Sequence, residues 1–188
     1  MGAVSSRESF FATGLEVLAE LGFGGLKLAV VCQRLGVTTG SFYHYFSSWS
    51  AYTRELVVHW QNGMTDEVLE AVGSEPDPRV RIERLIRKGL HLPHSAEGAI
   101  RAWSAVDPEV RAVQATVDRS RYDGLYASAL EILHEPRQAH LFASWGMYLL
   151  VGYEQVILPP DPAGLGWILD QMLEALDSGC FSAVPDSD

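Results

Sequence analysis

Residues 26–46 read LKLAVVCQRLGVTTGSFYHYF, and no other stretch says as much about the fold. Apolar residues at helical spacing predict a helix from about Lys27 to Leu35, and Gly36 is expected to end it because glycine adopts left-handed backbone angles at little cost. Thr38 is placed to cap a second short helix from Thr39 to about Tyr45. Two such helices around a glycine-containing turn form a helix-turn-helix, whose second helix can enter the major groove of DNA.

The second helix of this pair has small polar residues at its start and aromatic residues at its end. The residues placed to approach base edges are Thr38, Thr39, Gly40 and Ser41. Tyr43 and His44 can form hydrogen bonds on the outward face, whereas Phe42 and Phe46 are expected to anchor the helix, and the direction of Tyr45 stays open. An ordinary helical hairpin with exposed hydroxyls is the plain alternative, because glycine turns between helices are common.

The rest of the chain is also predicted to be helical, since no segment alternates polar and apolar residues long enough for a half-buried strand. Ser5 or Ser6 can cap a first helix that ends at residues 22–25, and Ser47 or Ser48 can cap a fourth that runs to about Val72. Glycine and proline punctuation predicts five further helices, at about 78–91, 95–106, 108–133, 136–158 and 162–178. The tail after Gly179 is expected to fray.

The composition is that of a folded protein with an uneven charge. The chain has 188 residues, of which 47% are apolar, and a formal net charge of −10. Residues 1–60 contain four basic and four acidic side chains, so the whole negative excess falls in residues 61–188. Only the N-terminal part therefore lacks the net negative charge that would repel a polyanion such as DNA.

Several classes of protein are disfavoured by the residues present. Cys32 and Cys180 are too few and too far apart for a disulfide framework or a four-ligand zinc site, which suggests a reducing compartment. The start shows no secretory signal, and the uncharged run 138–153 is short for a membrane span, so we expect a cytoplasmic protein without membrane contact. His91 and His94 lack companion ligands and no credible catalytic set can be assembled, so we predict no metal, no cofactor and no enzymatic activity.

The N-terminal sequence resembles the TetR family of transcriptional repressors. Residues 22–48, GFGGLKLAVVCQRLGVTTGSFYHYFSS, follow the family's order of a glycine turn, a short helix, Gly-Val, a Ser or Thr, a Gly and a Tyr-His-Tyr-Phe ending. The likeness covers about residues 8–57, and residues 99–118 also look like the ligand-binding part of such regulators. It implies about nine helices, in a helix-turn-helix DNA-binding domain at 1–48 and a helical ligand-binding and dimerisation domain at 49–188.

The resemblance also implies roles for single residues. Thr38, Thr39, Ser41 and His44 fall where the family meets base edges and nearby phosphates, and Gly40 is the glycine of the signature. Tyr43 falls on a tyrosine that usually binds a phosphate, and Lys27 opens the preceding helix, where it can do the same. Lysines common in the family are replaced here by Thr39 and Trp49, which predicts modest affinity and a shallow salt dependence. The Trp49 ring is expected to seal the joint to the fourth helix, with a DNA sugar as the alternative partner.

The second half of the chain offers a ligand site and a subunit interface. The aromatic residues expected to surround a pocket are Trp60, Trp103, Tyr122 and Tyr126. Core filling is the ordinary role of such residues, but the resemblance favours a cavity for a small apolar or aromatic effector. The helix at 136–158 is apolar nearly all round and, with the last helix, is expected to form a four-helix homodimer interface; burial within one subunit is the alternative.

Together these features predict a DNA-binding transcriptional regulator. The expected form is a ligand-responsive repressor that binds a palindromic double-stranded operator as a dimer and is released by a small effector. The alternative is a helical small-molecule-binding protein or enzyme with a vestigial helix-turn-helix head. Activation in place of repression stays open, and neither the operator nor the effector can be identified from the residues.

Overall fold

A computed structural model describes residues 6–73 and 75–184, and these residues form nine α-helices with no strand among them. The helices are α1 Arg7–Gly25, α2 Leu28–Leu35, α3 Thr39–Tyr45, α4 Trp49–Val72, α5 Pro78–Leu90, α6 His94–Ser104, α7 Pro108–Leu133, α8 Pro136–Gln155 and α9 Pro162–Asp177, followed by a 3-10 turn Cys180–Ala183. The all-α prediction is confirmed. The five helices predicted after residue 73 are all present, each end lying within three residues of its expected place.

Side-chain caps explain where the helices begin. Ser6 caps α1 through a capping box, in which Ser6 Oγ accepts from the Ser9 N–H at 3.1 Å and Ser9 Oγ accepts from the Ser6 N–H at 2.9 Å. Ser5, the other predicted cap, lies outside the described residues. Ser48 Oγ accepts from the Ala51 N–H at 3.0 Å and so caps α4. Aspartate or glutamate caps α5, α8 and α9, each followed by a proline in the first turn.

Glycine shapes the two bends of the N-terminal helices. α1 ends at Gly25, within the predicted residues 22–25, and its helical backbone is interrupted at Gly22, where φ is +65°. Gly36 ends α2 at φ +67°, and its N–H donates to the carbonyls of Cys32 and Gln33. Both angles lie in the left-handed region that glycine adopts without a Cβ penalty. The predicted helix-turn-helix is therefore formed, with Lys27 preceding α2 as its N-cap residue and not as its first turn.

The described residues fall into two units. The first unit has residues 6–63 and 93–116, and the second unit has residues 64–73, 75–92 and 117–184. The predicted boundary between a DNA-binding domain at 1–48 and a ligand-binding domain at 49–188 is a separate matter and stays a prediction. The first unit has an aromatic core around Phe10, whose ring centroid lies 5.6 Å from those of Phe42 and Phe46. Tyr52 is fully buried beside them and donates to the Phe10 carbonyl at 2.8 Å, and this burial raises the pKa of its phenol.

The second unit is built around Phe142, Ile82 and Met172, none of which is exposed. Arg79 makes a bidentate ion pair with Asp177 at 2.8–3.0 Å, joining the start of α5 to the end of α9. The chain after Gly179 was expected to fray, and residues 185–188 lie outside the described part. Phe181, however, is 7% exposed and packs on Phe142 with centroids 5.7 Å apart, because it completes this apolar core.

Candidate nucleic-acid interface and ligand cavity

α3 has one buried and one exposed face. Phe42 and, just after the helix, Phe46 are 0% and 1% exposed, and their rings lie 5.4 and 5.0 Å from that of Tyr52. Tyr45 is half-buried with its ring centroid 5.6 Å from that of Phe10, so it packs inward. The predicted DNA-contact residues that lie exposed are Lys27, Thr38, Thr39, Gly40, Tyr43 and His44, while Ser41 is half-buried. The fold thus holds a row of small, hydroxyl-bearing and imidazole side chains toward solvent.

Thr38 and Ser41 have a structural task in addition to their predicted contacts. Thr38 Oγ1 accepts from the Ser41 N–H at 3.2 Å and lies 3.2 Å from Ser41 Oγ, so the pair caps α3. A hydroxyl has one donor and two acceptor sites, so each of these groups keeps bonding capacity beyond the cap. Thr39 and His44 stand on the exposed side of the same helix.

Lys27 stands at the start of α2, where no side chain caps the helix. The first N–H groups of α2 and the exposed ammonium of Lys27 are close together in the chain, and both favour an anion. Arg34, by contrast, binds Glu20 at 2.6 Å and lowers the pKa of that carboxyl. Lys27 can therefore offer its charge to a phosphate, whereas the charge of Arg34 is already paired.

Arg7 is a residue that the sequence reasoning missed. Its guanidinium donates to the carbonyl of Tyr45, the last residue of α3, lies 4.5 Å from the centroid of the Phe46 ring, and forms an ion pair with Glu55 of α4. A cation at a helix C-terminus is favoured by the helix dipole. Arg7 thus links the C-terminal end of α3 to α1 and α4. In the sequence, Arg7 could have been singled out only as one of few basic residues near the start of the chain.

Trp49 packs inside the first unit. It is half-buried at the start of α4, and its ring centroid lies 5.0 Å from that of Tyr52 and 5.9 Å from that of Phe42. This is the joint between α3 and α4. The ring thus occupies the packing position that was expected for it.

The four aromatic residues predicted to surround a ligand are divided between the two units. Trp60 is 2% exposed and donates to Glu97 Oε1 at 2.8 Å in the first unit, where Trp103 donates to Asp107 Oδ2 at 3.2 Å. Tyr122 and Tyr126 stack on each other in the second unit with centroids 5.8 Å apart, and the Tyr122 hydroxyl lies 2.8 Å from His140 Nδ1. Their assignment as ligand contacts stays a prediction.

Trp103 borders a cavity of the first unit that has both polar and apolar lining residues. One face of its indole stacks on Phe23 with centroids 4.4 Å apart. The other lining residues are Ser50, Thr53, Arg54, Val57, Val58, Asp107, Glu109, Val110 and Val113. Asp107 uses its second oxygen to cap α7 by accepting from the Glu109 N–H at 3.0 Å. Its carboxylate is thus engaged by the fold on both oxygens.

The second unit contains an aliphatic cavity whose lining residues the sequence reasoning did not identify. The space between its walls, counted together with the part that is open to solvent, is about 740 Å³. Its lining residues are Met64, Glu67, Val68, Leu85, Ile86, Lys88, Gly89, Leu92, Arg121, Leu125, Gly146, Met147, Leu150, Leu165, Leu169 and Met172. None of the four predicted aromatic residues is among them. Aliphatic residues at helical spacing look the same in a sequence whether they fill a core or face a cavity, so no signal marked this wall.

α8 and α9 also present apolar side chains to solvent. Tyr148 of α8 is 75% exposed, and Trp167 and Ile168 of α9 are 64% and 39% exposed. Such side chains mark an interaction site where they form one contiguous patch, whereas single ones are ordinary. The predicted homodimer interface on these helices stays a prediction.

The described residues contain neither a cluster of metal ligands nor a helix suited to a membrane. No three His, Cys, Asp or Glu side chains lie close enough together there to hold a metal ion. Within residues 6–73 and 75–184, no helix combines the length and apolarity that crossing a bilayer requires.

Comparison with known proteins places the N-terminal helices in one family. Residues 10–50 match the sequence model described as bacterial regulatory proteins, tetR family. The HTH-type transcriptional regulator BetI of Proteus mirabilis (strain HI4320) is 23% identical over 133 residues. The matched segment is 66% of this chain and 66% of that relative's length.

Solved structures share the fold over nearly the whole chain. A TetR-family regulator from Agrobacterium tumefaciens has a TM-score of 0.76 at 19% identity, covering 89% of this chain and 95% of the other. A transcriptional regulator from Rhodococcus sp. Rha1 has a TM-score of 0.74 at 22% identity, covering 93% and 97%. A regulator from Saccharomonospora viridis, solved in complex with choline, has a TM-score of 0.72 at 18% identity, covering 96% and 98%. At these identities the likeness concerns the fold.

Proposed function

We propose that this chain, which belongs to the TetR family of transcriptional regulators, functions as a ligand-responsive repressor. In this proposal two copies of the chain bind a palindromic operator, and a small molecule that binds the helical second unit releases them. Such a repressor acts in the cytoplasm, where the chromosome is.

The observation that carries the proposal is the exposed face of α3. Thr39, Tyr43 and His44 point to solvent from a helix whose other side is anchored by fully buried phenylalanines. A short rigid helix with exposed polar side chains near its start is what reading of the major groove requires. We assign base contacts to Thr39 and His44, with Thr38, Gly40 and Ser41 approaching the same groove.

Phosphate contacts would fix the position of the helix on the duplex. We assign them to Tyr43 and to Lys27, whose ammonium stands beside the uncapped start of α2. Few cations face this side, so the counterion release on binding is small and affinity falls gently as salt rises. Two α3 helices of a symmetric dimer would then sit about 34–36 Å apart, in successive major grooves.

The exposed apolar side chains of α8 and α9 support the dimer. Tyr148, Trp167 and Ile168 would be buried against the same residues of the partner around a two-fold axis. A repressor needs this pairing because a single seven-residue helix reads too few base pairs to define an operator.

The aliphatic cavity of the second unit supports control by a ligand. A molecule bound there shifts the protein away from its DNA-binding state only to the extent that it binds the other state more tightly. By reciprocity the operator weakens binding of the ligand by the same factor.

Selection of bound sequences from random DNA, followed by binding measurements on the selected operator, tests the proposal. A palindrome bound by two copies of the chain is the expected result. Thr39→Ala and His44→Ala should change the preferred sequence at one position in each half-site, worth about 1–3 kcal/mol of discrimination. Thr116→Ala removes an exposed hydroxyl from α7 and is the matched control. If the two α3 variants behave like that control, α3 is not the reading helix.

A further inference from the structure

The aliphatic cavity of the second unit indicates the chemistry of its ligand. Eleven of its sixteen lining residues are Leu, Ile, Val or Met, and none of the described lining residues is aromatic. Flat rings and quaternary ammonium groups are usually held by aromatic side chains, which stack or form cation–π contacts. A wall of aliphatic chains instead matches a flexible alkyl chain, and three methionines can adjust to its shape.

Two glycines shape the wall of this cavity in different ways. A Cβ at Gly146 would stand 3.0 Å from Leu125 Cδ1 and 3.1 Å from Met172 Cε, so glycine is needed for the close approach of these side chains to α8. A Cβ at Gly89 would meet nothing within 4 Å, so the open space reaches the backbone of α5.

The charged residues of the wall favour an anionic head group. Arg121, on α7, is 8% exposed and lines the cavity, whereas the one lining carboxylate, Glu67, is half-buried. Lys88 is the second lining cation, and its Nζ binds Glu70 at 2.6 Å. A guanidinium has five N–H donors, so Arg121 can bind a carboxylate while it keeps contacts within the protein.

From these observations we propose that the cavity binds a straight alkyl chain ending in a carboxylate, with the chain among the Leu and Met side chains and the carboxylate at Arg121. The inference rests on the proposed function, since it names the chemical class of the effector. It also predicts that the cavity rejects choline, the ligand of one structural neighbour.

Calorimetric titration of the full-length protein with hexanoate, octanoate and decanoate tests the chain. Each buried methylene should strengthen binding about fourfold until the cavity is full. Decanol and decyltrimethylammonium have the same chain with a neutral or a cationic head. Decanoate should bind at least about tenfold more tightly than decanol, because hydrogen bonds to a charged group are the stronger ones. Affinity independent of chain length, or tightest binding of the cationic amphiphile, would overturn the proposal.

Two variants locate the ligand. Gly89→Leu should fill the cavity and reduce decanoate binding at least tenfold, whereas Gly63→Leu, whose Cβ also meets nothing within 4 Å but lies outside the lining, should leave it unchanged. Arg121→Met should remove the preference for decanoate over decanol while decanol still binds. If Arg121→Met does not fold, the comparison of Gly89→Leu with Gly63→Leu still tests where the ligand binds. Normal decanoate binding by Gly89→Leu would refute the proposed site.

Release of operator DNA by decanoate is measured separately, so the two proposals can fail separately. Decanoate that binds the cavity without changing operator affinity would contradict its role as effector. A protein that binds a palindromic operator but no alkyl carboxylate would keep the repressor proposal and refute this one.

Discussion

The phenol of Tyr43 is 55% exposed on α3, and we assign it to a phosphate. Tyr43→Phe removes only the hydroxyl and should weaken DNA binding about fivefold, the value of one ordinary hydrogen bond. Because phosphates are alike in every sequence, the loss should be equal on the selected operator and on random DNA. Fluorescence anisotropy on both duplexes measures it. A changed sequence preference in Tyr43→Phe would indicate that Tyr43 contacts a base and not a phosphate.

The two cysteines should differ in reactivity. Cys32 is 4% exposed and its burial raises the pKa of the thiol, whereas Cys180 is exposed. A raised pKa lowers the thiolate fraction at any given pH, so burial and protonation both slow alkylation of Cys32. Iodoacetamide at pH 8 should label Cys180 and leave Cys32 unmodified until the protein is unfolded, as read by peptide mass spectrometry. Equal labelling of both in the folded protein would contradict the burial of Cys32 in α2.

Among the helices, the turn between α2 and α3 depends on Gly36. At φ +67° a side chain is strained, so Gly36→Ala should lower the free energy of unfolding by about 1–2 kcal/mol. Gly63→Ala, in the middle of α4, should raise it by about 0.5–1 kcal/mol, because alanine is the better helix former. Urea denaturation compares the two, and a neutral Gly36→Ala would mean that the turn tolerates another geometry.

The orientation of α3 should depend on Arg7. Arg7→Met removes the donor to the Tyr45 carbonyl, so we expect at least a tenfold loss of operator affinity and a smaller loss on random DNA. Glu55→Gln keeps that hydrogen bond and removes only a half-exposed ion pair, which is worth about 0–1 kcal/mol. It should therefore bind the operator nearly as the wild type does. Equal losses on operator and random DNA in Arg7→Met would indicate general destabilisation in place of positioning.

For the protein as a whole, DNA binding should require the dimer. Trp167→Glu places a charge on the exposed face of α9, and burying it in an interface without a partner is costly. Sedimentation equilibrium should show a monomer at micromolar concentration, and operator binding should be lost with it. Val106→Glu alters a side chain that is 75% exposed in the first unit and should change neither property. A dimeric Trp167→Glu protein would place the interface elsewhere.

The helices and the turn could be predicted because caps and breakers act over a few residues. Thr38 accepts from the Ser41 N–H, Ser48 from the Ala51 N–H, and Gly36 takes a positive φ, each where the sequence indicated. The exposed row on α3 followed from the spacing of Phe42 and Phe46 on its opposite face. Gly22 shows the limit, since the sequence indicated that the first helix ends within residues 22–25 but did not indicate the backbone break at Gly22 inside that helix.

Local chemistry along the chain was thus enough to predict an all-helical protein with a helix-turn-helix near its N-terminus. Three features were decided only by the tertiary structure. The first is the hydrogen bond from Arg7 to the Tyr45 carbonyl, and the second is the aliphatic cavity lined by Arg121. The third is that Trp60 and Trp103 belong to one unit while Tyr122 and Tyr126 belong to the other. These features involve residues that are far apart in the chain, and the identity of a residue does not determine which distant residue it contacts. Whether a leucine fills a core or faces empty space depends on the distance between helices, which no periodicity encodes.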